Sequence, residues 1–113
     1  MAISVRWSQE NGTHIAHING RIDSSNSLEF DSELKANIKD EDRILLLDFS
    51  QVEFISSAGL RIVLSHAKVF DTPKVFAIFG LSELLKEIFQ ISGLDKIVNI
   101  HASKKDALGA TRS

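Results

Sequence analysis

Asp48-Phe49-Ser50-Gln51-Val52-Glu53-Phe54-Ile55-Ser56-Ser57-Ala58-Gly59-Leu60 is the stretch from which the rest of the chain can be read. Before it stands Ile44-Leu45-Leu46-Leu47, an apolar run without alternation, as expected of a central strand covered on both faces. After it a helical pattern begins. The expectation is a buried strand that ends at the Asp48 carboxylate, a short loop, and two serines at the start of a helix. The first amides of a helix have no intrahelical partners, and the helix dipole makes that end electropositive. A serine hydroxyl there is a good N-cap. A phosphate is equally well placed there, because helix N-termini bind anions. A capped helix and a phosphorylation switch both fit these residue types, and spacing does not choose between them.

Downstream, the helix is expected to run from Ser57 to about Phe70. At roughly 100° per residue, Leu60, Val63, Leu64, Ala67 and Phe70 share the core arc. Ala58, Ile62, Ser65 and Val69 fall on the opposite arc, where Ile62 and Val69 form either a contact surface beside Ser57 or the seat of a neighbouring helix. Asp71-Thr72-Pro73 breaks the helix. Val75 to Phe79 reads as a second continuous apolar strand, ended by Gly80. Ser82 caps a further helix with Leu85, Ile88 and Phe89 on its core face, and Gly93 suits its left-handed C-cap. Ile97 to Ile100 is expected as a last short strand, and residues 103–113 as a short helix and polar tail.

Upstream, Ile3, Val5 and Trp7 alternate with Ser4, Arg6 and Ser8, the period of a half-buried strand. Asn11-Gly12 signals a hairpin turn. The returning strand covers about Thr13 to Ile18, and either Ile15 or Ile18 could set its inward face. His14 and His17 point to opposite faces of that strand. With His66 and His101 they are expected at surface or edge positions, without a metal. Gly20-Arg21-Ile22-Asp23 closes the strand. Asn26 and Glu29 have the spacing of a capping box. A helix follows to about Lys39, with Phe30, Leu34 and Ile38 inward and Asp31 and Lys35 placed as an ion pair. Asp40-Glu41-Asp42 reads as a solvated acidic connector.

These elements are expected to make one α/β domain over residues 1–113. Its single mixed sheet joins an N-terminal antiparallel hairpin to parallel strands, packed by about four helices. The chain has 113 residues, enough for a core without staples. Its net charge of −2 and lack of a Lys/Arg cluster with interleaved aromatics argue against nucleic acid as a partner. Cysteine is absent, so disulfide and thiolate chemistry are excluded. The N-terminus has no signal-peptide pattern and no apolar run is long enough to span a bilayer, so a cytoplasmic protein without direct membrane insertion is expected.

Asp-x-Ser-x-Val-x-Phe-Ile-Ser-Ser-Ala-Gly-Leu-Arg resembles the signature of the STAS family, in the form carried by bacterial anti-sigma factor antagonists. Gly20 to Asp23 resembles a second corner of that family, and the likeness extends over nearly the whole chain. The resemblance implies phosphorylation two residues before Gly59, at Ser57, with Ser56 as the alternative. Where the family often has Asp then Ser around that position, this chain has Ser56 and Ala58. The resemblance implies a partner surface of Asp23, Ser24, Ser56, Ser57, Ala58, Arg61 and Ile62. Asp48, Ser50 and Gly59 are expected to position the loop, Asp48 by bonding its amides and so holding Ser57. The implied partners are an anti-sigma factor that is also a serine kinase, and a serine phosphatase. ATP and Mg would belong to the kinase, leaving no cofactor here.

An enzyme is not expected. The nucleophile elbow Gly-x-Ser-x-Gly needs a small residue two before the serine, and Ile55 stands there for Ser57. No phosphate loop Gly-x-x-x-x-Gly-Lys-Ser/Thr is present. Two other readings remain open. One is a non-switching STAS subunit of a lipid-transport ABC complex, with Ser57 a structural cap. The other is a phospho-switch feeding a non-sigma pathway such as secretion or biofilm formation.

Overall fold

The computed structural model describes residues 3–10, 12–39, 42–70 and 74–111. The expected turn residue Asn11, the connector residues Asp40 and Glu41, and the helix-breaking Asp71-Thr72-Pro73 lie outside them. Strand β1 (Ser4–Glu10) pairs antiparallel with β2 (Thr13–Ile22), and Glu10 faces Thr13 across the turn. Gly12 holds φ at +82°, the left-handed region that this tight turn needs. Helix α1 (Ser27–Asn37) returns the chain to β3 (Ile44–Ile55), which lies parallel to β2. Helix α2 (Ser57–Val69), β4 (Val75–Phe79), α3 (Glu83–Ser92), β5 (Asn99–His101) and α4 (Lys104–Thr111) complete the chain. The sheet order is β1-β2-β3-β4-β5, with every pair after the first parallel.

Crossovers that all advance in one direction and share one hand put their helices on one face of the sheet. Accordingly Phe30, Leu34, Val63, Leu85 and Phe89, from α1 to α3, share one core with Ile18, Leu45, Leu47, Phe49 and Ile78. Ala107 of α4 closes a smaller core on the other face with Ile15, Leu46, Ala77 and Phe79. Ile15 and Ile18 are therefore both buried, each against a different layer. Being three apart, they alternate onto opposite faces, while the register shifts after His17 and after Gly20 fall to β3, which reaches the same core first through Leu45, Leu47 and Phe49 and then through Val52 and Ile55; β2 itself extends to Ile22 rather than stopping at Ile18.

Strand β3 does not end at Asp48. It runs through the signature to Ile55, pairing with β2 to Ile22↔Ile55 and leaving only Ser56 before the helix. The expected loop is a strand. Helix α1 stops two residues early, although Ile38 still packs on the core. Its expected capping box does not form. Asn26 turns away, accepting from the Asp23 amide at 2.9 Å and donating to the Arg21 carbonyl at 2.7 Å. The last strand is also shorter than expected, because Leu94–Lys96 forms a 3-10 turn ahead of it. Ser82 and Gly93 (φ +82°) cap α3 as their residue types predict.

One histidine departs from the expected surface position. His66 on α2 is buried, and its Nε2 lies 2.8 Å from Asp31 on α1. Asp31 also holds Lys35 at 2.9 Å, one turn along. Burial pushes the Asp31 carboxyl up, but the bonds from Lys35 and His66 outweigh it and hold the group below its ordinary value.

Candidate functional site

The carboxyl ends of the parallel strands are where connecting loops and helix N-termini gather. Here the ends of β2 and β3 meet. The Ser56 amide donates to the Ile22 carbonyl at 2.8 Å, which sets Asp23 and Ser56 side by side. Gly59 locks this corner. A Cβ at Gly59 would stand 2.7 Å from both Ile22 Cγ2 and Ile55 Cγ1, so only glycine lets α2 start this close to the sheet.

The two serines have different duties. Ser56 is the N-cap of α2, its Oγ accepting from the Gly59 amide at 3.3 Å. Ser57 is the first helical residue and is exposed, and among the described residues its hydroxyl has no hydrogen bond. The first turn of α2 carries no acidic residue to repel an anion. Arg61 is exposed one turn further on, Ala58 is half-buried, and Ile62 packs partly on the core. The expected outward pair of apolar residues thus reduces to Val69, which is 70% exposed.

Beside Ser57, the loop after β2 is a tight turn. Asp23 Oδ1 accepts from the Ser25 hydroxyl at 2.6 Å and the Ser25 amide at 2.9 Å. These bonds, the hydroxyl's foremost, hold the Asp23 carboxyl below its ordinary value, so it is ionised at neutral pH. Ser24 at the tip of this turn is exposed. The structure adds Leu28, in the first turn of α1 at the same edge and 78% exposed. Its signal in the sequence was an apolar residue out of step with Phe30 and Leu34.

Asp48 and Ser50 are not at this corner. They lie within β3, and the seven residues to Ile55 span about 23 Å at about 3.3 Å each. Asp48 therefore does not hold Ser57. Its Oδ1 accepts from the Ser50 hydroxyl at 2.7 Å and amide at 2.9 Å, and its Oδ2 lies 2.7 Å from His17 Nδ1. His17 Nε2 in turn lies 2.8 Å from Ser8 Oγ. Burial raises the Asp48 carboxyl, but the bonds from Ser50 and His17 more than offset it and hold the group low. Ser50 also backs the end of β4, where a Cβ on Gly80 (φ +83°) would lie 3.0 Å from the Ser50 amide. Among the described residues no three His, Asp or Glu side chains converge to hold a metal ion. No helix among them is long and apolar enough to cross a membrane.

Comparison with known proteins places this geometry. The Bordetella bronchiseptica protein BtrV, which carries the name of an anti-sigma factor antagonist, is 32% identical over 90% of this chain and 89% of its own length. The crystal structure of an anti-sigma factor antagonist from Mycobacterium paratuberculosis shares the fold with a TM-score of 0.92 at 24% identity, over 99% of this chain and 96% of that one. The Bacillus cell fate determinant SpoIIAA shares it in two states at 17% identity. Its unphosphorylated form has a TM-score of 0.78 over 96% of each chain, and its phosphorylated form 0.70 over 96% of this chain and all of that one. The STAS domain family matches residues 5–107, from the second residue of β1 into α4, and the chain belongs to the STAS domain family.

Proposed function

We propose that this chain is an anti-sigma factor antagonist in the cytoplasm that works as a phosphorylation-controlled binding switch. Unphosphorylated, it binds an anti-sigma factor that is also a serine kinase. The kinase, using its own ATP and Mg, phosphorylates Ser57 and is released, and a serine phosphatase resets the site. The observation that carries this reading is the division of labour between the serines: Ser56 is spent on the cap, whereas Ser57 stands exposed at the helix N-terminus with its hydroxyl unengaged. The names of BtrV and SpoIIAA, and the phosphorylated state named for SpoIIAA, support it.

Phosphorylation adds about 1.5 to 2 negative charges and three acceptor oxygens. At an N-terminus these suit the helix dipole, so the domain itself is not destabilised. The effect falls on the interface. A contact formed by Asp23, Ser24, Ser56, Ser57, Ala58, Arg61 and Ile62 would have to bury a dianion beside the ionised Asp23. Burying an unpaired charge costs several kcal/mol or more, on the order of a thousandfold in affinity.

The test is peptide mass spectrometry of the protein from its own cells, with pull-downs of Ser57→Ala and Ser57→Asp. One phosphate on Ser57, a kinase partner retained by Ser57→Ala and lost by Ser57→Asp, is the expected result. Absence of phosphate under all growth conditions, with both variants holding one partner, would instead make this a permanently docked subunit. Retention of the switch with a partner unrelated to sigma factors would move it to another pathway.

A further inference from the structure

The sheet has two outer edges, and they are unlike. β5 closes one with three residues, Asn99–His101, the short edge that discourages further pairing. β1 closes the other with seven, Ser4–Glu10, free of proline and paired to β2 without a register shift. No described strand lies on its outer side. The loop from β1 to β2 has two residues, since Glu10 faces Thr13. The residues flanking such a loop exchange both backbone hydrogen bonds, and bonded pairs then alternate with unbonded ones. Ser4, Arg6, Ser8 and Glu10 therefore bond β2, and the amides and carbonyls of Val5, Trp7 and Gln9 point outward. Arg6, Ser8 and Glu10 place their side chains on the face of the sheet that carries α4, the face of Ile15 opposite Ser8. Arg6 is exposed and has no ion pair among the described residues. Glu10 gives Oε2 to Lys104 of α4, and no described residue bonds its Oε1.

We infer that the outer edge of β1 pairs antiparallel with β1 of a second copy of this chain, about a two-fold axis at Ser8. Residues opposite each other across antiparallel strands share a face, so the axis of such a pair falls on a residue. Charge selects which one. An axis at Arg6 sets two guanidinium groups against each other. An axis at Trp7 sets Arg6 opposite Ser8 and Glu10 opposite Ser4. An axis at Ser8 sets Arg6 of each copy opposite Glu10 of the other, at unbonded positions where facing side chains come closest. In that register Trp7 of each copy exchanges both backbone bonds with Gln9 of the other, using the outward groups of this edge. One continuous sheet then runs through both copies, with their α1 to α3 layers on the same side. The axis reverses β2 and β3, so the two Ser57 corners lie at opposite ends of that sheet. The junction is level with Ile15 and Leu46, away from the Ile22–Ile55 end, and does not depend on the switch.

Analytical ultracentrifugation of the full chain tests this, on variants whose melting curves show them folded. The wild type should associate to a dimer and no further, because each copy has one such edge. Arg6→Glu sets carboxylates opposite each other at both symmetric positions and should weaken association about 10-fold or more. Arg6→Glu joined to Glu10→Arg restores opposite charges, and with Lys104→Ala to remove the cation beside position 10 it should recover the dimer. Cysteine is otherwise absent, so a single introduced thiol reports on one position. Ser8 meets its own copy at a Cα separation of about 4.5 Å, within reach of a disulfide. Under mild oxidation Ser8→Cys should therefore cross-link between copies far faster than Gln9→Cys, which faces Trp7. A wild type that stays monomeric up to about 1 mM would overturn the inference. So would a dimer indifferent to Arg6→Glu, or equal cross-linking at the two positions.

Discussion

Asp23-Ser24-Ser25 and Asp48-Phe49-Ser50 are the same local device set in two places. In each, one aspartate oxygen takes both the hydroxyl and the amide of the serine two residues on, and in each the carboxyl is held below its ordinary value. The surroundings differ. Asp23 stands in a loop, at the corner where β2 and β3 end beside Ser57. Asp48 stands inside β3, where its second oxygen engages His17 and through it Ser8. The contrast teaches that the local Asp-x-Ser contact sets the ionisation of a carboxylate. Strand register then decides what the charge serves: the proposed partner surface in one case, a cross-strand chain in the other.

The sharpest way to break this comparison is to remove the corner. Gly59→Val would drive side-chain atoms into Ile22 and Ile55 and should cost about 3 kcal/mol in urea unfolding, with loss of partner capture. A stable, binding-competent Gly59→Val would mean that the corner is not built on close approach. Next comes a direct exchange between the two units. Asp48→Ala strands His17 among strand residues and should lower stability by about 2 kcal/mol. Asp23→Ala should leave the unfolding curve nearly in place and register in pull-downs. Similar losses of stability from both would erase the distinction.

Smaller effects separate the serines. Ser56→Ala removes the cap and should cost about 1 kcal/mol, while Ser57→Ala should stay within about 0.5 kcal/mol. The reverse order would reassign the cap. The smallest effect is one of pH. Because folding lowers the Asp48 pKa below its ordinary 3.8, the unfolded chain binds the proton more tightly. The stabilisation is full above that value and is lost as pH falls through the lower folded value. The gap in urea midpoint between wild type and Asp48→Asn should therefore be widest near about pH 6 and narrow towards about pH 3. A constant gap would mean that the Asp48 charge contributes nothing.

Much of this was legible in the sequence because it is local. The apolar run at Ile44–Leu47, the caps at Ser82 and Gly93, and the Asp31–Lys35 pair each depend on residues a few positions apart. The corner near Ser57 was legible through the signature. Its internal assignment was not, because which serine caps depends on where β3 stops, and β3 outruns its apolar start by eight residues. The cross-strand contacts were hidden for a different reason. Ser8 reaches His17 across 9 residues, His17 reaches Asp48 across 31, and His66 reaches Asp31 across 35. Such meetings are fixed by strand register and helix rotation, which leave no periodic trace.

The order of strands in the sheet is the order of strands in the chain. Each strand therefore docks on the one synthesised just before it, and no early strand must wait for a late one to fill a gap. Loop closures stay short, which favours rapid folding. A chain leaving the ribosome can add its layers in sequence, hairpin first. Helix α4, which follows all five strands in the chain, then covers Ile15, Leu46, Ala77 and Phe79. Until it arrives these four side chains are open to other molecules, so the interval before α4 docks is the stage of biogenesis at which aggregation or chaperone capture competes with folding.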